Sequence, residues 1–498
     1  MSGPGRSILL RNGRIDGREP VDLLARDGAI VGAGHGLVAA DSVDLEGRHV
    51  IPGLWDDHVH LSQQALALRR VDVSAAESAG EAAAIMATAA TTRPPAPGLP
   101  LVGFGFRDGL WPDLPTAAML DSVVGDVAAV LVSGDLHCCW LNSAALARFG
   151  RAGHPTGILR EDDAFAVTSA LTDIPDGTLD AWVAEASIAA AARGVVGVVD
   201  FEMADNLTVW SRRISGGANS LRIAAAIYTE HLAAAICAGH RTGEIIDGTG
   251  GLLSVGPFKL LIDGSLNTRT AYCVDEYPGL SGQPHSHGIL TVQPADLVAL
   301  LRRASAAGIV PAVHAIGDHA NRIALDAFET VGCGGRIEHA QLLLDSDLPR
   351  FAALGVTASL QPEHAMDDRG VADHYWTGRT GRAFPLRGLL DAGATVVLGS
   401  DAPVAPLDPW VTIAAAAGRR RDGIAAWHPE QSISVAEAIT ASAHGRGRVS
   451  VGDVADLCIV DVDPLTATSE ALRSMPVAAT MIAGRFTHST LVETGRVE

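Results

Sequence analysis

The middle of the chain alternates short apolar runs with alanine-rich stretches of helical spacing, and this alternation restricts the fold more than any other feature. Strands that are buried on both faces of a parallel sheet are almost continuously apolar, and a crossover must return the chain after each of them. Eight such runs cover residues 50–60, 194–201, 221–229, 256–262, 309–314, 336–340, 356–361 and 395–399. Eight strands that alternate with helices predict the α/β class and a (β/α)8 TIM barrel.

The segments around these strands predict two additions to the barrel. Residues 1–50 and 446–498 carry short alternating bursts separated by turns, so we expect the two termini to build a small β-sandwich together. Residues 51–445 then form the barrel. The gap between the first two barrel strands, about residues 62–190, is too long for one crossover and contains strand-like pieces at 101–106 and 128–133. We expect an inserted subdomain over the barrel mouth there.

The first barrel strand ends in Asp57-His58-Val59-His60. Alternate side chains of a strand point to the same face, so His58 and His60 project together and could bind one metal ion as a pair of ligands. For a single His-x-His, the commoner interpretation is a pair of histidines that lines a strand end. Later strands end in further candidates, namely Lys259, His314, His339 and Asp401. Because catalytic groups of such barrels lie at the C-terminal ends of strands, these six side chains predict one site for two metal ions.

Lys259 is the only lysine among 37 basic residues, and all the others are arginine. A protonated lysine would repel a dication, whereas a neutral amine can take up carbon dioxide as a carbamate that presents two ligand oxygens. Arginine cannot replace lysine in this role because its guanidinium stays protonated. The single lysine therefore favours a carbamate on Lys259 that bridges two metal ions. An ordinary ion pair is the alternative.

Composition excludes several classes of partner. The formal net charge of −20 argues against nucleic acid and against an anionic membrane surface. Six cysteines show no Cys-x-x-Cys spacing, which disfavours a disulfide framework and a structural zinc site. Residues 1–17 lack the apolar segment of a secretory signal, and no run reaches 18 uncharged apolar residues. We expect a cytoplasmic protein that acts on a small molecule.

Five motifs follow one another in the order of the barrel strands. They are IPGLWDDHVH (51–60), FKLLIDGSLNTRTA (258–271), HAIGD (314–318), RIEHAQ (336–341) and GSDAPV (399–404). Together with GDLH (134–137) and WLNSAAL (140–146), they resemble the amidohydrolase superfamily, and specifically its YtcJ-like branch, which includes N-substituted formamide deformylases. Asn267-Thr268 departs from the Gly-Ser pair that is usual in this branch, and the stretch 441–452 is abbreviated. Both departures concern substrate shape and the sandwich edge.

The resemblance implies a metal-dependent hydrolase of a non-peptide carbon–nitrogen bond in an amide, an N-substituted formamide or a cyclic amide. It assigns a first metal to His58, His60 and Asp401, a second to His314 and His339, and a bridging carbamate to Lys259. A metal-activated hydroxide would attack the substrate, with Asp401 as the general base that passes a proton to the leaving amine. Zinc suits these donors best, and manganese, iron and cobalt stay open. A homodimer is also a family-level expectation.

Three further residues are candidates for substrate binding: His137 in the insertion, His364 after the seventh strand, and Arg269 after Lys259. For each of them a structural role is the alternative. Two other functions stay open as well. The same metal chemistry would serve an esterase, a lactonase or a deaminase, because specificity resides in loops. A non-catalytic barrel that serves in assembly is disfavoured because all six ligand positions are occupied by metal-binding residue types.

Overall fold

The structure, a computed structural model, describes residues 7–15, 17–95, 98–171 and 174–491, and its strands and helices are numbered in chain order. A ring of eight parallel strands forms its centre, with hydrogen-bonded neighbours in sequence order. These strands are β6 (Leu54–Val59), β12 (Val195–Asp200), β13 (Arg222–Ile227), β14 (Leu253–Leu261), β15 (Pro311–Ala315), β16 (Gly335–His339), β17 (Val356–Leu360) and β18 (Val396–Leu398). The ring is closed by backbone bonds from Asp401 N–H to His58 C=O (2.7 Å) and from His60 N–H to Ala402 C=O (2.8 Å). The predicted barrel is confirmed.

Helices cover the outside of the barrel because the strands are apolar on that side too. Phe258 and Val313 of the strands pack with Leu301 and Phe328 of the helices in one continuous core. Twelve helices of the described chain lie outside the inserted subdomain. They are α1 (Leu61–Ala67), α6 (Asp176–Ala191), α7 (Asn206–Ser215), α8 (Thr229–Ala238), α9 (Pro294–Ala306), α10 (Asp318–Val331), α11 (Leu348–Leu354), α12 (His364–Tyr375), α13 (Leu386–Asp391), α14 (Pro409–Gly418), α15 (Val435–Ala441) and α16 (Ser469–Arg473).

The segment between β6 and β12 contains a second sheet with its own core. Its strands are β7 (Val71–Asp72), β8 (Leu101–Phe106), β9 (Ala129–Ser133), β10 (Cys138–Leu141) and β11 (Ile158–Arg160), and its helices are α2 (Ala79–Thr92), α3 (Ala117–Val124), α4 (Ser143–Arg148) and α5 (Asp162–Leu171). Phe106 and Trp140 lie at the centre of this core. Helix α6 packs instead with α1 and β12 through Val183, Ala186 and Val195. It therefore belongs to the barrel wall, although the predicted insertion of about 62–190 includes it.

The two ends of the chain share one β unit. Its strands are β1 (Ser7–Ile15), β2 (Val21–Arg26), β3 (Ala29–Gly34), β4 (Asp41–Asp44), β5 (His49–Pro52), β19 (Leu457–Val460), β20 (Val477–Ile482) and β21 (Arg485–Ser489). Strand β5 pairs antiparallel with β19, and Leu10 packs with Leu457 and Met481 in a common core. The predicted β domain from both termini is confirmed, although residues 1–6 and 492–498 lie outside the described residues. No helix of the described chain is both long and apolar enough to cross a membrane.

Candidate metal centre

The predicted metal ligands converge at the C-terminal end of the barrel. His58 lies in β6, His60 directly after it, Lys259 in β14, His314 in β15, His339 in β16, and Asp401 after β18. The strand register brings Lys259, His314 and His339 close together. His314 lies opposite Leu261, two residues after Lys259, and His339 lies opposite Ala315, one residue after His314. All six side chains are buried or nearly so. Parallel strands end at the same edge of a barrel, and that edge gathers the residues in space.

His58, His60 and Asp401 form a first set of donor atoms. The Nε2 atoms of His58 and His60 lie 3.5 and 3.4 Å from Asp401 Oδ1. The donor atoms of the three residues all lie within 4.8 Å of one another. Ligands of a tetrahedral zinc ion, bound at roughly 2.0–2.1 Å, are separated by about 3.4 Å. The spacing of this set therefore suits one small dication.

A second set of donor atoms shares Asp401 with the first. His339, His364 and Asp401 also present donor atoms within 4.8 Å of one another. His364 begins helix α12, and its Nε2 lies 3.9 Å from Asp401 Oδ2. Sequence reasoning assigns His364 only to the pocket wall. The structure places it among the donors as well.

His314 stands beside the second set without completing it. Its ring centre lies 4.4 Å from that of His339. Its Nε2, however, lies 3.4 Å from the carbonyl oxygen of Gly264 and 3.5 Å from Asp263 Oδ1. Nδ1 is consequently the nitrogen of His314 that remains for a metal. Asp263 also accepts backbone hydrogen bonds from Ile316 and Gly317, so it holds the loop that follows His314.

Unpartnered nitrogen atoms indicate that the centre fits metal ions. Among the described residues, the buried atoms His339 Nδ1 and His364 Nε2 of the second set have no hydrogen-bond partner. A buried polar atom without a partner costs about 1–3 kcal/mol. The lone pair of a neutral imidazole can instead be satisfied by a dication. The donor types and the unpartnered atoms thus both agree with the predicted metal site.

Burial keeps most of these imidazoles in the form that binds metals. It lowers the pKa of His58 to about 4, and Lys259 adds to this effect. Burial also brings the pKa values of His314 and His339 well below their ordinary value. At His60 burial is outweighed by the hydrogen bond to Asp401, which raises the pKa. Uncharged rings at neutral pH keep a lone pair for a metal ion.

Asp401 is held as a carboxylate. Burial alone would raise its pKa, but its contacts with His58, His60 and His339 outweigh burial and hold the pKa well below the ordinary value. The group is therefore ionised at neutral pH, the form in which a carboxylate can bind a cation or accept a proton.

Lys259 lies next to the first donor set. Its Nζ is 3.4 Å from His58 Nε2 and 4.3 Å from the centre of the Phe201 ring, and the residue is 2% exposed. Burial lowers the pKa of Lys259 to about 8. A fraction of the amine is therefore uncharged near neutral pH, which is the form that carbamate formation requires.

A buried carboxylate orients His58 from the side opposite to Asp401. His58 Nδ1–H donates to Glu338 at 2.8 Å, and Arg336 donates to Glu338 at 2.8 Å and to Asp57 at 3.1 Å. With the proton on Nδ1, the lone pair of His58 stays on Nε2. Strand alternation predicts that Glu338 faces away from His339. Both residues nevertheless contact His58, because the backbone of His339 leaves the extended conformation at φ +72°.

Glu338→Gln is expected to weaken metal binding by about 10–100-fold, because the orienting negative charge behind His58 is lost. Metal affinity would be measured by competition with a coloured chelator. Asp347→Asn is the matched control, since Asp347 is an equally buried carboxylate that pairs with Arg322 and Arg350 instead. Equal metal affinities of the Glu338 variant and the wild-type protein would contradict the orienting role.

A small cavity of about 70 Å³ lies against the donor atoms. Apart from the ligands, its wall includes the polar residues Gln63, Asp135, His137 and Gln341 and the apolar residues Leu136, Phe165, Met203 and Leu266. A wider cleft of about 900 Å³ adjoins it and shares Phe165, Met203 and Lys259 with it. Residues of the insertion, such as Leu136 and Phe165 at the inner cavity and Glu161 at the cleft, contribute to both walls.

Two of the three predicted substrate-binding residues line the inner cavity, namely His137 and His364. Arg269 lines the wider cleft, and its guanidinium lies 5.5 Å from the ring centre of Tyr375. The left-handed backbone of Arg269, with φ +60°, belongs to the tight turn of the loop after β14. The structure therefore does not bring Arg269 to the metal centre.

His137 is paired with a glutamate that sequence reasoning missed. Its Nδ1 lies 2.8 Å from Glu161 Oε2, and Glu161 also accepts a hydrogen bond from Thr270 at 2.6 Å. Burial would lower the pKa of His137, but Glu161 outweighs it and the pKa rises to about 9. His137 is thus a protonated ring whose Nε2–H is available in the cavity wall. No local spacing indicates this pair, because His137 precedes β10 and Glu161 follows β11, and only the antiparallel pairing of these two strands brings the residues together.

The barrel, the clustered histidines and the shared carboxylate at its C-terminal end define a metal-dependent hydrolase. The chain belongs to the amidohydrolase family, whose sequence pattern matches residues 41–488. The class expected from the motifs is therefore confirmed.

Several named proteins are similar to this chain over most of their length. Protein LONG AFTER FAR-RED 3 of Arabidopsis thaliana is 28% identical, with 96% of this chain and 88% of that protein covered. Putative amidohydrolase YtcJ of Bacillus subtilis (strain 168) is 25% identical, with 93% and 94% covered. N-substituted formamide deformylase of Arthrobacter pascens is 27% identical, with 89% of each covered.

A solved structure supports the same assignment. An uncharacterized metal-dependent hydrolase from Pyrococcus horikoshii matches with a TM-score of 0.76 at 25% identity, covering 93% of this chain and 99% of that chain.

Proposed function

We propose that the protein hydrolyses a non-peptide carbon–nitrogen bond in a small amide, an N-substituted formamide or a cyclic amide. The observation that carries this proposal is the overlap of two donor sets on Asp401, at the wall of a cavity that suits a small molecule. The similarity to an N-substituted formamide deformylase and to the putative amidohydrolase YtcJ supports the choice of bond.

We propose that the site takes two divalent ions, with zinc as the ion that suits the donors best. His58, His60 and Asp401 would hold the first ion, and His314 and His339 the second, with carbamylated Lys259 between them and His364 as a further donor. When bound, such ions polarise a carbonyl oxygen as Lewis acids and lower the pKa of water towards 7.

The protein's own side chains move the protons. Asp401 is ionised, so one of its carboxylate oxygens accepts a proton from the attacking water and then delivers it to the leaving nitrogen. His137 Nε2–H donates a hydrogen bond to the substrate oxygen on which negative charge develops. Glu161 keeps His137 protonated and directs this donor into the cavity.

Removal of metal is expected to lower amide hydrolysis by at least about 100-fold, with recovery when zinc, manganese or cobalt is added back. Protein purified without chelators would be assayed for metal content and for turnover of N-formyl, N-acyl and cyclic amides, with and without bicarbonate. Matched esters and lactones form the comparison set. Faster turnover of the esters would favour the esterase alternative. Protein with neither bound metal nor turnover of any substrate would favour the non-catalytic one.

We propose a small molecule as the partner in catalysis, and neither nucleic acid nor a membrane. The net charge of −20 supports this choice. A cytoplasmic location is supported by four buried free thiols, which that compartment keeps reduced: Cys138, Cys139, Cys273 and Cys458. The homodimer stays a prediction from the family resemblance.

A further inference from the structure

Four residues that line the inner cavity each carry a buried polar atom without a partner. Among the described residues, these atoms are His339 Nδ1, His364 Nε2, Gln63 Oε1 and Gln341 Nε2. A metal ion at the second donor set would account for the two imidazole nitrogens. The two amide atoms need another explanation, because buried polar groups are nearly always satisfied.

The two glutamines are built into the barrel edge. Gln63 is the third residue of α1, directly after the His58 and His60 strand, and its backbone N–H is anchored to Glu202 Oε2 at 3.0 Å. Gln341 follows His339 by two residues, and its backbone carbonyl accepts the N–H of Phe384 at 2.6 Å. The side chains are 3% and 2% exposed. Both amides therefore have fixed backbones and lie out of contact with bulk water.

Their chemistry is complementary. An amide N–H group is only a donor and cannot bind a cation, so Gln341 Nε2 requires an acceptor. Gln63 Oε1 is only an acceptor and requires a donor. A secondary amide offers one carbonyl acceptor and one N–H donor on adjacent atoms. Such a substrate therefore offers an acceptor for Gln341 and a donor for Gln63.

We propose that Gln63 and Gln341 recognise the –CO–NH– unit of the substrate, with Gln341 donating to the carbonyl oxygen and Gln63 accepting from the N–H. This inference rests on the proposed amide hydrolysis and narrows its substrate class to secondary amides and N-monosubstituted formamides. Tertiary amides and esters leave Gln63 unpaired, and a site built around a buried hydrogen bond discriminates strongly against a partner that lacks it.

Three matched substrates test the role of Gln63 in the metal-loaded enzyme: an N-alkyl formamide, its N-methyl derivative, and the formate ester of the corresponding alcohol. Gln63→Met is expected to lower kcat/KM for the N–H substrate by about 10–100-fold and to change the other two by less than about 3-fold. Gln63→Glu keeps an acceptor oxygen and should keep the preference for N–H. A purely structural role would not separate these two variants.

The role of Gln341 is tested with the same substrates. Gln341→Met and Gln341→Glu both remove the donor, so each should lower kcat/KM for all three substrates by about 100-fold, because each has a carbonyl. Gln64→Met is the control for both series, since Gln64 is the half-buried neighbour of Gln63 in α1 and lies outside the cavity wall. Metal content and melting temperature are recorded for every variant to show that folding and loading are unchanged.

The outcomes separate the two proposals. If the wild-type enzyme hydrolyses the N–H formamide but Gln63→Met leaves its preference over the ester unchanged, the recognition by Gln63 is overturned and the proposed function stands. If the wild-type enzyme with bound metal hydrolyses none of the three formyl substrates and no other amide, both proposals fall.

Discussion

Lys259→Ala is expected to lower kcat/KM on the best amide substrate by roughly 10³-fold, which corresponds to about 4 kcal/mol of transition-state stabilisation. The variant should also bind less metal. The reason is positional, because Lys259 is buried 3.4 Å from His58 Nε2, and burial lowers its pKa to about 8. A carbamate formed on this amine would contribute negative charge and two oxygen ligands between the two donor sets, and alanine contributes neither.

Two comparisons separate the bridging role of Lys259 from packing. Short carboxylates such as formate or propionate should restore part of the activity of Lys259→Ala, because they can occupy the vacated space with two oxygens. Lys259→Arg should be inactive, and added bicarbonate should not raise its activity, since a guanidinium stays protonated and cannot form a carbamate. Full turnover of Lys259→Ala, with no response to added carboxylate, would rule out the bridging role.

Asp401→Asn is expected to lower kcat by on the order of 10³-fold, with a smaller change in KM. An asparagine fills the same space but cannot accept the proton from the attacking water or return it to the leaving nitrogen. Asp401 lies within 3.5 Å of both histidines of the first set, so its loss should also reduce metal retention. The two effects are separated by measuring single-turnover rates at saturating metal.

A suitable control for Asp401 is Asp456→Asn. Asp456 is also a buried carboxylate, but it is paired with Arg222 at 2.6 Å beside the terminal β unit. This change should alter stability and leave kcat close to the wild-type value. Equal kcat for Asp401→Asn and the wild-type enzyme at saturating metal would exclude Asp401 as the general base.

The barrel could be predicted because its signal is repeated along the chain. Eight apolar runs each satisfy the same requirement of burial on both faces, and their C-terminal ends mark one edge of the molecule. Once that edge is known, His58, His314, His339 and Asp401 are neighbours whatever the details of packing. The single lysine added chemical information that periodicity does not contain.

The rest of the site depends on contacts without a local signature. Glu338 contacts His58 from a strand 280 positions away, and Glu161 reaches His137 only because β10 and β11 pair antiparallel. Arg269 lies in the wider cleft and not at the metal centre, and its backbone is in a left-handed conformation within the loop after β14. Gln63 and Gln341 stand out only when their partners are sought in three dimensions. Strand alternation also fails at His339, where the backbone leaves the extended conformation.

The pairing of β5 with β19 has a consequence for the order of events during synthesis. Val50 lies opposite Ile459, and Gly53 N–H bonds the carbonyl of Asp456 at 2.9 Å, only a few residues before His58. The ribosome therefore makes His58 and His60 long before β19, the strand that pairs with β5. Until β19 has been synthesised, a nascent chain would carry these two histidines next to a strand without its partner. A premature stop before β19 should consequently impair metal loading, although every predicted ligand has already been made.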